Sequence, residues 1–332
     1  MQPVIIDENR LNEMGSAFMP GCVLGAAAEL DLFAILGKGS LDARQLAERL
    51  KCDHRATVIL LDALAAIGVL AKHDGLYSIP DGLRPLLDGE SPRCILSGVL
   101  HRMNMLRRWS QLARVVRSGK PGVPEPSVRG AEADRAAFVA AMHAFSLPVA
   151  DQLVASLGPP RFTHLLDVGG ASGTWTMAFL RATPGATATL FDLPDAVEQA
   201  RRRFAGGEFA DRITFVPGDF YVDDLPKGAD FAWVSAILHQ DGREQNRRLL
   251  AKVHAALAPG GRVAIRDVVM KPSRVGPPLG ALFAVNMLVA TETGGTFTFE
   301  ELAEDLQSAG FVEPNLAIED AGMNSVVVAA KA

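Results

Sequence analysis

The chain has 332 residues, of which 48% are apolar and 21% charged, with a formal net charge of −5. That length is too great for one compact core and fits two domains of about 100–200 residues each. The balance is that of an ordinary globular protein, which excludes a disordered tail, a collagenous repeat and a disulfide-held miniature. The negative charge argues against a whole-molecule nucleic-acid footprint.

The N-terminus, Met1-Gln2-Pro3 followed by Asp7, Glu8 and Arg10, lacks the basic start and apolar run of a secretory signal. Glu29 and Asp31 break the apolar run over 23–36, and 326–330 is only strand-length, whereas a bilayer span needs about 20 apolar residues. Cys22, Cys52 and Cys94 are far apart, without metal-ligand spacing, and read as free or buried thiols of a reducing compartment. These features predict a cytoplasmic protein with no membrane and no nucleic-acid partner.

Residues 1–155 read as helix, with apolar residues at helical spacing over 18–36. Asp42-x-x-Gln45 is a capping box opening a helix over 43–50, and Asp53 caps a second over 54–67. Then come two short strands, 68–71 and 76–79, around a His73-Asp74-Gly75 turn. Helix, turn, helix, ribbon is the order of a winged helix. The second helix, however, runs Val58-Ile59-Leu60-Leu61-Asp62-Ala63-Leu64, a surface suited to a core or another subunit rather than to a DNA groove. The arginines of 101–117 read as a solvated helix face, and 121–126, with three prolines and a glycine, as a loop.

After about residue 160 the pattern becomes alternating strand and helix. Strands are predicted at 164–168, 188–191, 213–217, 231–236, 263–267 and 325–330, with helices near 175–182, 196–204, 243–257 and 299–309. Such alternation gives an α/β fold, a parallel sheet covered by helices, whose ligands sit beyond the carboxyl ends of the strands. The decisive residues should therefore end strands.

The first strand ends Leu166-Asp167-Val168-Gly169-Gly170-Ala171-Ser172-Gly173. Glycines at 169, 170 and 173 do not match the i, i+2, i+5 spacing of a dinucleotide fingerprint. The Asp167 carboxylate would repel a phosphate and suit a cationic ligand carrying an amine; the plain alternative is a tight turn with no ligand. About 20 residues on, Phe191-Asp192-Leu193-Pro194 places an acid where it can accept from both hydroxyls of a ribose. Gly218-Asp219-Phe220 ends the third strand, with Asp219 fitted to an exocyclic adenine amine and Phe220 to the ring.

Asp-Val-Gly-Gly-x-x-Gly, Phe-Asp-Leu-Pro, Gly-Asp-Phe, Ile-Leu-His and Leu-x-Pro-Gly-Gly-Arg, in this order, resemble the S-adenosylmethionine-dependent O-methyltransferases of the caffeate/hydroxyneurosporene type. The resemblance covers nearly the whole chain. It implies a Rossmann-like methyltransferase sheet (156–332) behind an N-terminal helical, winged-helix-like dimerisation domain (1–155). It also implies a homodimer, S-adenosyl-L-methionine as cofactor and a small aromatic acceptor. By the same resemblance Asp167, Gly169, Gly170 and Gly173 line the methionine and ribose side, Asp192 with Leu193 the ribose, and Asp219 with Phe220 the adenine. Ser235, where the family often has a basic residue, belongs to the cofactor side.

His239 closes the strand over 231–236 through Ile237-Leu238, the position where the family places its general base. A phenol (pKa near 10) needs such help at neutral pH. His73 reads as a turn residue, His254 as part of an amphipathic helix, and His143 as packing or pocket-facing. The family's flanking glutamates are matched here by Gly294-Gly295-Thr296-Phe297 and by 324–329, neither with a carboxylate. The histidine is thus expected to lack an acidic partner unless Glu292 or Asp241 substitutes. The acceptor side is assigned to Met142 with Phe145, to Asn286-Met287, and to Asn324, which matches a substrate-contacting asparagine of the family. Alternatives are C- or N-methylation, a non-methylating relative, and a winged-helix, ligand-responsive regulator.

Overall fold

A computed structural model describes residues 6–158 and 162–332; Met1-Gln2-Pro3, on which the reading of the N-terminus partly rests, lies outside them. By contacts the chain divides into two units, Met1–Arg107 with Pro124–Ala144, and Arg108–Val123 with Phe145–Ala332.

The first unit begins with α1 (Glu8–Ser16), α2 (Phe18–Glu29) and α3 (Leu32–Leu36), then β1 (Leu41–Asp42), α4 (Ala43–Leu50) and α5 (His54–Ala66). The capping box forms as expected: Asp42 accepts from the Gln45 N–H while Gln45 reaches back to the Asp42 N–H, and Asp53 caps α5 through the Ala56 N–H. β2 (Ala71–His73) and β3 (Leu76–Ser78) join through Asp74-Gly75, both at positive φ as a tight hairpin turn requires. Their sheet is three-stranded, because β1 pairs with β3. Leu32, Leu36, Leu46, Leu61, Leu64 and Tyr77 form the core beneath it. The three cysteines are free and half-buried. α6 (Arg84–Leu87), α7 (Leu96–Trp109), α8 (Leu112–Ser118) and α9 (Ala131–Ser156) follow.

The sequence pattern puts 108–123 with the N-terminal helices, but the contacts group it with the sheet. Arg108 donates to the Ala290 carbonyl, Trp109 to Asn286, and Gly122 N–H to the Val289 carbonyl. α9 also departs from expectation. At 26 residues, with a mean hydropathy of 1.3 over its most apolar 18-residue window, it is long and apolar enough to cross a bilayer. Its C-terminal residues Ala150, Leu153 and Val154 instead lie in the core of the second unit.

The second unit is built on β4 (His164–Val168), α10 (Thr174–Ala182), β5 (Thr187–Asp192), α11 (Pro194–Phe204), β6 (Ile213–Pro217), β7 (Ala229–Ser235), α12 (Arg243–Ala256) and β8 (Leu257–Asp267). Then come β9 (Val269–Met270), α13 (Pro278–Ala290), β10 (Phe297–Thr298), α14 (Phe299–Ser308), β11 (Phe311–Ile318) and β12 (Ser325–Lys331). The main sheet runs β11-β12-β8-β7-β4-β5-β6. It is mixed rather than wholly parallel, since β12 is antiparallel to both β8 and β11. One face carries Leu166, Val234 and Ile265 against α12 and α14; the other carries Leu165, Trp233 and Ala264 against α10. α12 and α14 are clamped by Asp305, fully buried, which accepts from Arg243 and Arg247.

Candidate active site

The carboxyl ends of β4, β5 and β6 meet around the turn at 169–173. Gly169 has φ +66°, and a Cβ there would stand 2.5 Å from Ile237 Cδ1 and 3.7 Å from Phe220 Cε1, so backbone conformation and space both demand glycine. A Cβ on Gly170 would stand 2.9 Å from the carboxyl carbon of Asp167. Gly173 caps α10. The Ala171 N–H donates to Asp192 Oδ2 and the Leu193 N–H to Oδ1, each at 2.6 Å. Asp192 is thereby tied to the glycine turn, while the Leu193 side chain is exposed. The Gly218 N–H donates to the Asp192 carbonyl, which brings the end of β6 alongside. There the Asp219 carboxylate accepts from the Tyr221 N–H, and Phe220 lies against the Tyr221 ring. Lys252 holds this loop by donating to the carbonyls of Phe220, Tyr221 and Asp223.

Asp167 is buried and accepts from the Thr176 hydroxyl at 2.5 Å. Burial pushes its pKa up to about 7; the Thr176 bond works against this and the nearby Asp192 charge adds to it. Burial also raises Asp192, opposed by the N–H groups of Ala171 and Leu193. Two crowded carboxylates thus line a glycine turn that leaves room for backbone alone. Such a cradle fits a ligand bearing ribose hydroxyls and a cationic amine.

His239 follows β7 and is buried. Its Nδ1 lies 2.8 Å from Asp267 Oδ1 and 3.0 Å from Oδ2. A carboxylate only accepts, so Nδ1 carries the proton and donates, leaving the Nε2 lone pair as the ring's basic site. Asp267 ends β8 and also accepts from the Val268 N–H, which fixes the carboxylate. The Phe283 ring meets the imidazole edge-on at 4.8 Å. One helical turn along α13, Met287 is buried on the same side, beside Asn286, which accepts from Trp109 Nε1.

The expectation of a histidine without an acidic partner is therefore corrected. Its partner is Asp267, not Glu292, which is exposed, nor Asp241, which accepts from the Tyr221 hydroxyl at 2.6 Å. The Gly294-Gly295 stretch does reach the histidine, but through backbone: the Gly295 N–H donates to the His239 carbonyl at 2.9 Å. Ser235 and Asn324 converge on a residue that sequence reading passed over. Arg266 on β8 donates to Ser235 Oγ at 3.1 Å and, through Nε and Nη2, to Asn324 Oδ1 at 2.9 and 2.7 Å. Met142 belongs to the first unit, half-buried on α9. Both missed residues, Arg266 and Asp267, end a strand, which is the signal that would have found them.

A family model for an O-methyltransferase domain matches residues 109–312, and one for an O-methyltransferase dimerisation domain matches residues 13–82. The chain belongs to the O-methyltransferase family. It is 32% identical to the tetracenomycin polyketide synthesis 8-O-methyl transferase TcmO of Streptomyces glaucescens, over 91% of this chain and 90% of that protein. It is 31% identical to the 3-hydroxy-5-methyl-1-naphthoate 3-O-methyltransferase of Streptomyces sahachiroi, over 97% and 95%. Human N-acetylserotonin methyltransferase in complex with SAM superimposes with a TM-score of 0.81 at 27% identity, covering 100% of this chain and 99% of that one. This O-methyltransferase is an S-adenosylmethionine-dependent enzyme that methylates a hydroxyl group of a small acceptor, rather than a regulator.

Proposed function

We propose that His239, oriented by Asp267, removes the proton from a phenolic hydroxyl held at the carboxyl end of β7. When bound, S-adenosylmethionine supplies a methyl group on a cationic sulfur. Asp167 and the backbone of Gly169, Gly170 and Gly173 would receive its amino-acid end, Asp192 with the Leu193 backbone its ribose, and Asp219 with Phe220 its adenine. Phe283, Met287 and Asn286 would form the acceptor wall, whose ring and thioether suit a flat aromatic ligand. Met142 keeps the acceptor role given by resemblance alone. The reading is carried by one observation: an imidazole whose tautomer is set by a carboxylate, two residues beyond Ile237, which abuts the glycine turn.

An aromatic acceptor follows from the base. A phenol (pKa near 10) gives up its proton to an imidazole far more readily than an aliphatic alcohol does. Purified protein given isotope-labelled cofactor and a panel of phenols and naphthols should form labelled ethers. Label bound to carbon or nitrogen instead would contradict this reading. We further read residues 1–155 as a homodimerisation domain, 156–332 as the methyltransferase domain, and the enzyme as cytoplasmic. Support for the dimer comes from the dimerisation-domain match and from Phe18, Met19 and Ile59, each more than half exposed on the single chain.

A further inference from the structure

Arg266 stands at the carboxyl edge of the sheet with 6% of its surface exposed, paired across the ladder with Ser235 on β7 and Val326 on β12. Its guanidinium lies 4.6 Å from the Trp175 ring and donates three hydrogen bonds, two to Asn324 Oδ1 and one to Ser235 Oγ. All of these partners are neutral. Asp267 and Asp320 act on it only through space, and burial pulls its pKa down to about 10, so at neutral pH it is a cation. Withdrawing a cation from water is costly, and neutral acceptors with a ring face offset only part of that cost. A guanidinium has five N–H bonds; among the described residues the three in use leave one on Nη1 and one on Nη2. That remaining fork matches a carboxylate.

Its surroundings indicate which carboxylate. Val168 pairs with Val234, so the next position beside Ser235 is Gly169. Arg266 stacks on Trp175, and the next residue of α10, Thr176, donates to Asp167. A buried acid and a buried base thus flank the first turn of one helix.

We propose that Arg266 anchors a ligand carboxylate, and that Asp167 and Arg266 together read a zwitterion, the amino-acid end of the cofactor. This rests on the cofactor reading above. A carboxylate on the aromatic acceptor would meet the same fork, and the test separates the two sources. Calorimetry on the wild-type protein compares S-adenosylhomocysteine with its decarboxylated analogue, 5′-deoxy-5′-(3-aminopropylthio)adenosine. Turnover compares 3-hydroxy-2-naphthoic acid with its methyl ester. The expected result is that the decarboxylated ligand binds about tenfold to a hundredfold more weakly, with acid and ester turned over alike. Arg266→Gln, checked for an intact melting transition, should bind both nucleosides alike, and Arg266→Lys should restore part of the difference. If only acid and ester differ, the anchor serves the acceptor and the zwitterion is ruled out. Equal binding of both nucleosides together with equal turnover of acid and ester overturns the anchor altogether. If neither nucleoside binds, the cofactor reading itself is what fails.

Discussion

At the scale of single residues, the proposed site rests on two carboxylates with opposite duties. Asp267 holds the proton on Nδ1 of His239, so Asp267→Asn lets the ring adopt the wrong tautomer. kcat should fall about 10²–10³-fold, within the span general-base contributions cover, while S-adenosylhomocysteine affinity stays unchanged by calorimetry. Asp167 works through its raised pKa. Its folded value near 7 exceeds the unfolded 3.8, so between these values the ligand-free fold binds more protons than the unfolded chain. Its contribution to stability therefore declines as pH rises from about 4 to 7. Asp167→Asn should raise the melting temperature at pH 8 by a few degrees and weaken cofactor binding. In the wild type, cofactor affinity should increase as pH rises through about 7, because a cationic amine binds the ionised acid. The glycines, Asp192 and His239 of the proposed site stand out in the sequence because local motifs end their strands. Asp267 does not, being 28 residues from its histidine and in neither stretch, 294–297 or 324–329, that matches the family's glutamates. Arg266 sits beside it at the end of the same strand, where no local motif draws attention to it.

Among elements, the loops after β6 and β7, strands that flank β4 and β5 in the sheet, are joined by the Tyr221–Asp241 hydrogen bond. Burial and Asp241 raise the Tyr221 pKa, so the phenol remains a donor across the working range. Tyr221→Phe should weaken S-adenosylhomocysteine binding about fivefold, the value of one net hydrogen bond, with a smaller effect on kcat. Behind the site, Asp305→Asn removes the charge that Arg243 and Arg247 share between α12 and α14, and should destabilise the fold by about 3 kcal/mol in urea unfolding. Helix starts were readable to the residue where a side chain caps them, as at Asp42 and Asp53. β11 was missed because Glu313, with φ +53°, and Pro314 interrupt its pattern at a bulge, a disruption an edge strand tolerates. α13 escaped because apolar residues surround it on every side, so no period marks a face.

For the whole molecule, the exposed apolar residues of the first unit should be covered by a second copy. Ile59→Glu or Met19→Glu should shift the protein from dimer to monomer in sedimentation equilibrium, whereas His239→Ala should remain a dimer. The net charge of −5 opposes binding to a polyanion, so we expect no salt-dependent gel shift with nucleic acid. The most direct test of the site is a crystal structure of the protein with S-adenosylhomocysteine. Its ribose should lie on Asp192, its adenine against Phe220, and its sulfur on the side of the glycine turn that faces His239 Nε2. A nucleoside bound away from the 169–173 turn, or turned so that its sulfur faces away from His239, would contradict the account.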